Sequence, residues 1–115
     1  GDNIRDWIFV DDHIRGIEMI IKKGKIGETY CLGGGNEITN LELIKKILSV
    51  MGFGKEMIQF VSDRLGHDFR YAIDFEKAKK ELEWKPIFNF DEGLEKTINW
   101  YKQNRKWWEK LTHKK

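Results

Sequence analysis

Charged side chains are concentrated in one short stretch of this 115-residue chain, residues 62–74, which reads SDRLGHDFRYAID. The stretch holds two arginines, Arg64 and Arg70, together with His67 and three aspartates. A guanidinium presents a planar fork of donors that matches a phosphoryl group, and Gly66 can turn nearby backbone amides toward the same point. The residue types therefore predict an anion site, for which a diphosphate is the natural candidate.

The same residues support a second interpretation. Arg64 and Arg70 could pair with the aspartates around them on a solvated surface, where exposed ion pairs contribute little to stability. Composition alone leaves the ligand site and the solvated charged loop as equal alternatives.

Ordered elements flank this stretch and must position it. An apolar run at residues 58–61 leads into it, while Ala72 and Ile73 follow it, with Asp74 placed to start a helix. We therefore expect a loop between an extended segment and a helix.

The first third of the chain predicts two strands separated by a helix. Aromatic and β-branched runs at residues 4–10 and 29–32 favour strands. The helix between them is expected to be capped by Asp11 or Asp12 and to run through Lys23. Its predicted apolar stripe consists of Ile14, Ile17, Ile20 and Ile21.

Three glycines at residues 33–35 follow the second predicted strand, in the setting of a phosphate-binding turn. The spacing does not fit one, because a G-x-G-x-x-G pattern from Gly33 would need glycine where Ile38 stands. No Lys-Ser/Thr pair follows either. The cluster is therefore expected to be a flexible turn from strand to helix.

A capping box predicts the next helix. Thr39 and Glu42 have the required spacing, and Gly52 is expected to end the helix. Asn40 then falls in the first helical turn, where converging amides and the helix dipole favour an anion.

Two more helices are predicted after the charged stretch. The first begins at Asp74, buries Phe75, Ala78 and Leu82, and is stopped by Trp84-Lys85-Pro86. The second starts at Asn89 or Asp91. It buries Leu94, Ile98 and Tyr101, and it leads to an aromatic, basic tail that contains Trp107, Trp108, Lys114 and Lys115.

The central residues Asp63-Arg64-Leu65-Gly66-His67-Asp68 resemble the late signature loop of dTDP-glucose 4,6-dehydratases, a branch of the extended short-chain dehydrogenase/reductase family. Four other segments agree in the same order: IRDWIFVDDH at 4–13, GETYCLGG at 27–34, LEWKP at 82–86 and FDEGL at 90–94. The resemblance covers essentially the whole chain. It is specific in the central loop and generic elsewhere, since related epimerases share the other motifs.

The resemblance implies an α/β fold, namely the C-terminal substrate-binding portion of an extended short-chain dehydrogenase/reductase. That family belongs to the NAD(P)-binding Rossmann-like superfamily, and the N-terminal cofactor domain would be lacking here. Residues 1–115 would then form a single C-terminal sugar-nucleotide-binding domain, with about four helices and a few short strands.

The resemblance also implies a ligand and the residues that hold it. Arg5 would reach the diphosphate of a dTDP-sugar or related sugar nucleotide, and Asn40 would contact the nucleotide. The loop that wraps the nucleoside diphosphate would consist of Asp63, Arg64, Leu65, Gly66 and His67. Two loop positions depart from the family pattern, since Leu65 replaces the usual proline and Phe69 a usual arginine. Cys31 stands where asparagine is commoner.

No catalytic residue is expected in this chain. The family's chemistry would need a glycine-rich cofactor turn and a Tyr-x-x-x-Lys pair, but Gly34, Phe75 and Arg105 stand four residues after the three tyrosines. NAD is therefore expected only with the missing N-terminal domain. His13 is expected to be a structural, hydrogen-bonded residue. No metal-ligand spacing is visible, and whether the chain is itself an enzyme stays open.

Composition limits the remaining partners. With 21 basic and 19 acidic residues the net charge is only +2, so neither nucleic acid nor an anionic membrane is an expected partner. No apolar run approaches the roughly 18 residues of a membrane helix. The single Cys31 rules out an internal disulfide, and without a signal-like start a cytoplasmic location is expected.

Three functions remain as alternatives. The favoured one is the sugar-nucleotide-binding part of a dTDP-glucose 4,6-dehydratase-like protein of deoxysugar nucleotide biosynthesis, unable to catalyse alone. The others are a non-catalytic binding or assembly module and a UDP-sugar 4-epimerase-like fragment. Strands and apolar faces left uncovered predict a homo-oligomer or a separate cofactor-domain chain as partner.

Overall fold

The computed structural model describes residues 1–112; the end of the predicted basic tail, with Lys114 and Lys115, lies outside the described residues. The described part is α/β. Its elements, in chain order, are β1 Ile4–Asp6, α1 Val10–Lys23, β2 Glu37–Thr39, α2 Asn40–Met51, a 3₁₀ turn Lys55–Met57, β3 Arg70–Tyr71, α3 Glu76–Leu82, α4 Phe90–Gln103 and α5 Arg105–Thr112.

The three short strands form one sheet in the order β2-β1-β3. β1 runs antiparallel to β2, with Ile4 opposite Thr39, and parallel to β3, with Ile4 opposite Arg70. The central strand therefore joins the start of α2 on one side to the end of the charged stretch on the other.

Two strand predictions need correction. β1 ends at Asp6 rather than at residue 10, and residues 29–32 form no strand, whereas residues 37–39 do. A strand requires a neighbour to accept its backbone hydrogen bonds, and propensity alone does not supply one. In residues 1–112, no strand lies beside residues 29–32, and the extended run at residues 58–61 is likewise unpaired.

The start and the buried face of α1 also differ from the prediction. Phe9 is the N-cap, so Asp11 and Asp12 lie in the first turn instead of capping it. Asp12 and Gly16 lie on the buried face. Of the predicted apolar stripe only Ile20 packs against the core, while Ile14, Ile17 and Ile21 are exposed.

The predicted caps of α2 and α4 are confirmed. Thr39 and Glu42 form the capping box of α2, and Gly52 follows its last turn in the left-handed conformation. Asn89, rather than Asp91, caps α4. The predicted tail is helical in its first part, because residues 105–112 form α5.

α3 begins and ends slightly differently from the prediction. Asp74 accepts a hydrogen bond from the Glu76 backbone amide at 2.8 Å, but the residue directly before the helix is Phe75. The helix ends at Leu82, where Glu83 takes a left-handed conformation with φ 57°. The chain therefore turns away from α3 before it reaches Pro86.

The core is small and lies between α1 and α3. Ala78, Leu82 and Trp84 are fully buried, and Phe75 packs edge to face against Trp84. Trp84 also donates its indole N–H to the Asp12 backbone carbonyl at 3.1 Å. These contacts hold the segment after α3 against the first turn of α1.

Asp12 completes this junction with its carboxylate, which is only 1% exposed. It accepts hydrogen bonds from the backbone amides of Ile87 and Phe88, each at 3.0 Å, and from Arg15 at 2.7 Å. Burial raises the pKa of Asp12, but these hydrogen bonds outweigh the burial and leave the pKa below its ordinary value. The hydrogen bonds to this carboxylate therefore hold residues 87–88 against α1.

Among the helices of residues 1–112, none is both long and apolar enough to cross a bilayer.

Candidate anion site at the charged loop

The charged loop, the stretch of residues 62–74, is fixed to the sheet through residues 69–71. The Ile4 amide donates to the Phe69 carbonyl at 2.8 Å, and β3 begins directly afterwards at Arg70. On β1, Arg5 points its guanidinium at the loop. The sheet thus places one basic side chain from β1 beside residues 63–69.

Arg5 is held by several acceptors at once. Its Nη2 lies 2.9 Å from His67 Nε2 and 2.8 Å from the Asp68 carbonyl. Its Nη1 donates to the Ile4 carbonyl at 2.6 Å and, more weakly, to that of Phe69 at 3.4 Å. The guanidinium also lies over the Tyr71 ring, 4.3 Å from the centroid, where the ring face attracts the positive charge.

His67 connects Arg5 to a carboxylate. Its Nδ1 lies 2.6 Å from Asp63 Oδ1, and its side chain is 18% exposed. The hydrogen bond from His67 is the largest cause that lowers the pKa of Asp63, and a further bond from the Arg64 backbone amide acts in the same direction. Asp63, His67 and Arg5 therefore form one continuous chain of polar contacts.

The tip of the loop projects into solvent. Gly66 has φ 70°, a left-handed conformation that favours glycine, and it turns the chain between Leu65 and His67. Leu65 is 102% exposed. Arg64 is exposed as well, and within residues 1–112 its guanidinium forms no ion pair. Arg64 is thus the arginine of the loop that remains available to an anion.

The second arginine of the loop has a different role. Arg70 donates to both carboxylate oxygens of Glu37, from Nε at 2.7 Å and from Nη2 at 2.9 Å. The sheet order explains this pair, because β2 and β3 lie on either side of β1. The prediction of two arginines at one anion site is therefore wrong for Arg70, to which the solvated ion-pair interpretation applies.

Asn3, which the sequence did not identify, connects Asn40 to the charged loop. Asn3 is 8% exposed; its side-chain amide donates to the Asp68 carbonyl at 3.3 Å, and its own carbonyl accepts from the Asn40 amide at 2.9 Å. Asn3 thus joins the charged loop to the first residue of α2. The sequence gives no local signal for this role, because Asp68 is 65 positions away.

The triple-glycine turn binds a carboxylate of the chain itself. Asp6 accepts hydrogen bonds from the Gly34 amide at 2.9 Å and from the Asn36 amide at 2.8 Å. A Cβ at Gly34 would lie 1.9 Å from the Trp7 carbonyl oxygen, so only glycine allows this approach. The turn is therefore a packed structural element, and its Gly34 amide is engaged by Asp6 rather than presented to a phosphate.

Outside the charged loop, neither His13, a cluster of possible metal ligands nor the cavity between α2 and α4 provides a second candidate site within residues 1–112. His13 is exposed on α1, and its ring makes no hydrogen bond within residues 1–112, contrary to its predicted structural role. In the same residues, no group of three His, Cys, Asp or Glu side chains is placed to hold a metal ion. A cavity of about 260 Å³ lies between α2 and α4, but its lining carries no charged side chain and does not suit a diphosphate.

Comparison with known proteins gives a consistent result. The family model described as GDP-mannose 4,6 dehydratase matches residues 1–97. A dTDP-glucose 4,6-dehydratase of Streptomyces niveus is 48% identical over 111 residues, which are 96% of this chain and 33% of that protein. The chain spans about a third of the length of the curated relatives it matches.

Solved structures agree with the sequence relatives. The dTDP-glucose 4,6-dehydratase of Bacillus anthracis, in complex with NAD, is 45% identical and superposes with a TM-score of 0.89 over 96% of this chain and 35% of that one. The UDP-glucose 4-epimerase of Thermotoga maritima, with UDP-glucose, is 30% identical and has a TM-score of 0.83 over 91% of this chain and 33% of that one. The fold described above is thus that of one region of these larger proteins.

Proposed function

Because this chain belongs to the GDP-mannose 4,6 dehydratase family, we propose that it is the sugar-nucleotide-binding part of a dTDP-glucose 4,6-dehydratase-like protein. The observation that carries the proposal is Arg64, which is exposed and forms no ion pair within residues 1–112, beside the Asp63, His67 and Arg5 contacts on a loop anchored to β1. The Arg64 guanidinium offers charge-assisted donors to a diphosphate.

The proposed site uses the residues that the sequence identified, with two adjustments. Arg64 and His67 hold the diphosphate, and Asn40 at the start of α2 contacts the nucleotide. Gly66 shapes the turn, and Leu65 lies fully exposed at its tip. Arg5 reaches the diphosphate only after it releases one of its present acceptors.

We propose that this chain does not itself hold NAD. In support, the Gly34 amide of the glycine-rich turn at residues 33–35 and the following Asn36 amide are engaged by the Asp6 carboxylate rather than presented to a dinucleotide phosphate. We infer that NAD, present in the Bacillus anthracis relative, is bound by the part of the family fold that this chain does not span. No catalytic residue is assigned here, and we propose that the chain does not catalyse alone.

Identity favours the dehydratase branch over the epimerases. The dehydratase relatives are 41–48% identical to this chain, whereas the Thermotoga maritima epimerase is 30% identical. We therefore propose a dTDP-sugar as the ligand, ahead of a UDP-sugar.

A second candidate, an assembly module without a ligand, is favoured by one observation. Ile14, Ile17 and Ile21 leave an apolar face of α1 in solvent, and such faces usually bind another protein surface.

The two candidates are separated by isothermal titration of the chain with dTDP-glucose and with dTDP. We expect saturable heat for both ligands, and binding of each weakened at least about tenfold by Arg64→Ala, the worth of a charge-assisted contact. Arg70→Ala is the matched control, since Arg70 is already paired with Glu37; it should leave the dissociation constant within about threefold. An absence of heat at millimolar ligand would favour the assembly module.

A further inference from the structure

The His67 ring has a defined tautomer in this structure. An arginine N–H can only donate, so His67 Nε2, 2.9 Å from Arg5 Nη2, must accept. The ring proton therefore sits on Nδ1, from which it is donated to Asp63 at 2.6 Å. Both ring nitrogens of His67 are thus occupied, Nε2 as an acceptor and Nδ1 as a donor.

Arg5 has no terminal N–H to spare. A guanidinium carries five N–H groups, of which four are terminal. The acceptors of the Arg5 terminal nitrogens are three backbone carbonyls, those of Ile4, Asp68 and Phe69, and one side-chain atom, His67 Nε2. A phosphoryl group that binds the end of Arg5 must replace one of these four acceptors.

His67 Nε2 is the one of these four acceptors that can itself become a donor. A displaced carbonyl can only accept, so it offers nothing to a phosphoryl oxygen, and the carbonyls of Asp68 and Phe69 also keep second donors in the Asn3 side chain and the Ile4 amide. A displaced imidazole can instead take up a proton and become a donor to the same phosphoryl group. Asp63, already hydrogen-bonded to Nδ1, then lies directly against the new positive charge.

We propose that Asp63 is a positioning residue that holds the His67 ring. When a diphosphate takes the place of His67 Nε2 as an acceptor of Arg5, the ring stays in position and Nε2 gains a proton. The proposal rests on the proposed function. The Arg5 N–H turns from Nε2 to a phosphoryl oxygen, one proton passes from solvent to Nε2, and the new Nε2–H donates to the diphosphate. The Nδ1–H bond to Asp63 is unchanged, so one proton is taken up for each ligand bound.

The charges around His67 allow this exchange. Within the described residues, the charged groups that contact the ring are Asp63 on its own loop and Arg5 on β1. Arg70, from β3, is neutralised by Glu37. Arg64 and Asp68 flank His67 on the same loop with opposite charges. The ligand's negative charge is therefore the change that favours the imidazolium.

The test measures protons as well as affinity. The chain is titrated with dTDP at pH 7.5 in two buffers with different ionisation enthalpies, and the difference in heat gives the protons bound per ligand. We expect a net uptake of up to about one proton per ligand, since Nε2 accepts from Arg5 before binding and donates to the ligand afterwards. The affinity should fall by up to about tenfold per pH unit above pH 7.5, as expected for one linked proton.

Single-residue variants test whether the proton that is taken up binds to His67. Asp63→Asn keeps an acceptor for Nδ1–H but removes the charge, so proton uptake should fall at least about twofold and the pH dependence should flatten. His67→Gln should abolish proton uptake. Asp2→Asn, which removes an exposed carboxylate before β1, should match the unmodified chain.

The possible results separate the role of Asp63 from the binding of a sugar nucleotide. Binding of dTDP without proton uptake, or full uptake retained in Asp63→Asn, overturns the role given to Asp63 and leaves the sugar-nucleotide site intact. No binding of dTDP in any variant that melts normally rejects the site itself and the inference with it.

Discussion

Among single residues, Asp12 connects several separate segments of the chain through its hydrogen bonds. Its carboxylate serves two backbone amides, Ile87 and Phe88, as well as Arg15, and its own carbonyl accepts from Trp84. Each amide approaches a different carboxylate oxygen. The side chain can therefore be replaced only by a group with two acceptor oxygens in the same plane.

Asp12→Asn is predicted to destabilise the chain strongly at neutral pH and less in acid. An asparagine has one carboxamide oxygen, so one of the two amides loses its partner, at a cost of about 2–4 kcal/mol. Because the pKa of Asp12 is lowered in the folded chain, the stabilisation is complete above the ordinary value near 3.8 and is lost as the pH falls through the folded value. Urea unfolding between pH 7 and pH 3 measures both effects.

The control for this prediction lies one residue away. Asp11 is exposed in the same turn of α1, and Asp11→Asn should change the free energy of unfolding by less than about 0.5 kcal/mol. A gap between Asp12→Asn and the unmodified chain that stayed constant down to pH 3 would contradict the role given to the ionised carboxylate.

Residue types predicted which charged side chains of one loop lie together better than they predicted the partner of each charge. Asp63, Arg64 and His67 were identified because they lie within five positions of one another. Arg70 was misassigned because its partner, Glu37, is 33 residues away and approaches only once the sheet has formed. Asn3 was missed for the same reason, since its role depends on Asp68.

At the scale of elements, the turn at residues 33–35 is the most constrained. Gly34 packs against the Trp7 backbone, and Gly33 lies against the Ile73 carbonyl. This turn holds the end of β1, through Asp6, to the start of β2. Its glycines are required by the close approach of two backbone segments rather than by flexibility.

Gly34→Ala is therefore predicted to abolish cooperative folding. Its Cβ would lie 1.9 Å from a backbone oxygen, which no rotation of a side chain can relieve. Gly27→Ala is the matched control, because Gly27 has φ 83° but open space around it, so the cost should be only about 1–2 kcal/mol. Thermal melts followed by circular dichroism compare the two, and a cooperative Gly34→Ala melt within a few degrees of the Gly27→Ala melt would refute the packing argument.

Helices were predictable from sequence where strands were not, and the reason is the range of the signals. The capping boxes at Thr39 and Asn89 involve residues three positions apart, so the sequence contains the whole interaction. Residues 29–32 have the composition of a strand, but pairing depends on a second segment. In residues 1–112 no such segment pairs with the run, and it forms no strand.

At the scale of the whole molecule, the chain exposes more surface than its mass predicts. Its accessible surface is 9044 Å², whereas a compact monomer of 13.7 kDa exposes about 6,600 Å². Its radius of gyration is 16.9 Å, compared with about 13 Å for a compact domain of this length. The excess surface is of the size that one partner contributes to a large permanent interface.

The exposed face of α1 is the part of this surface where association can be tested. Ile14, Ile17 and Ile21 are 57%, 43% and 79% exposed on one side of a helix whose other side packs on the core. We predict that the chain self-associates through this face. The double variant Ile14→Lys with Ile17→Lys should raise the dissociation constant of the dimer at least about tenfold, because two charges would be buried unpaired.

Ile26→Lys is the control, since Ile26 is fully exposed in a turn outside the helix. Light scattering over a concentration series measures the mass, and a monomer at 100 μM for the unmodified chain would show that α1 needs a different partner, such as the part of the family fold outside this chain.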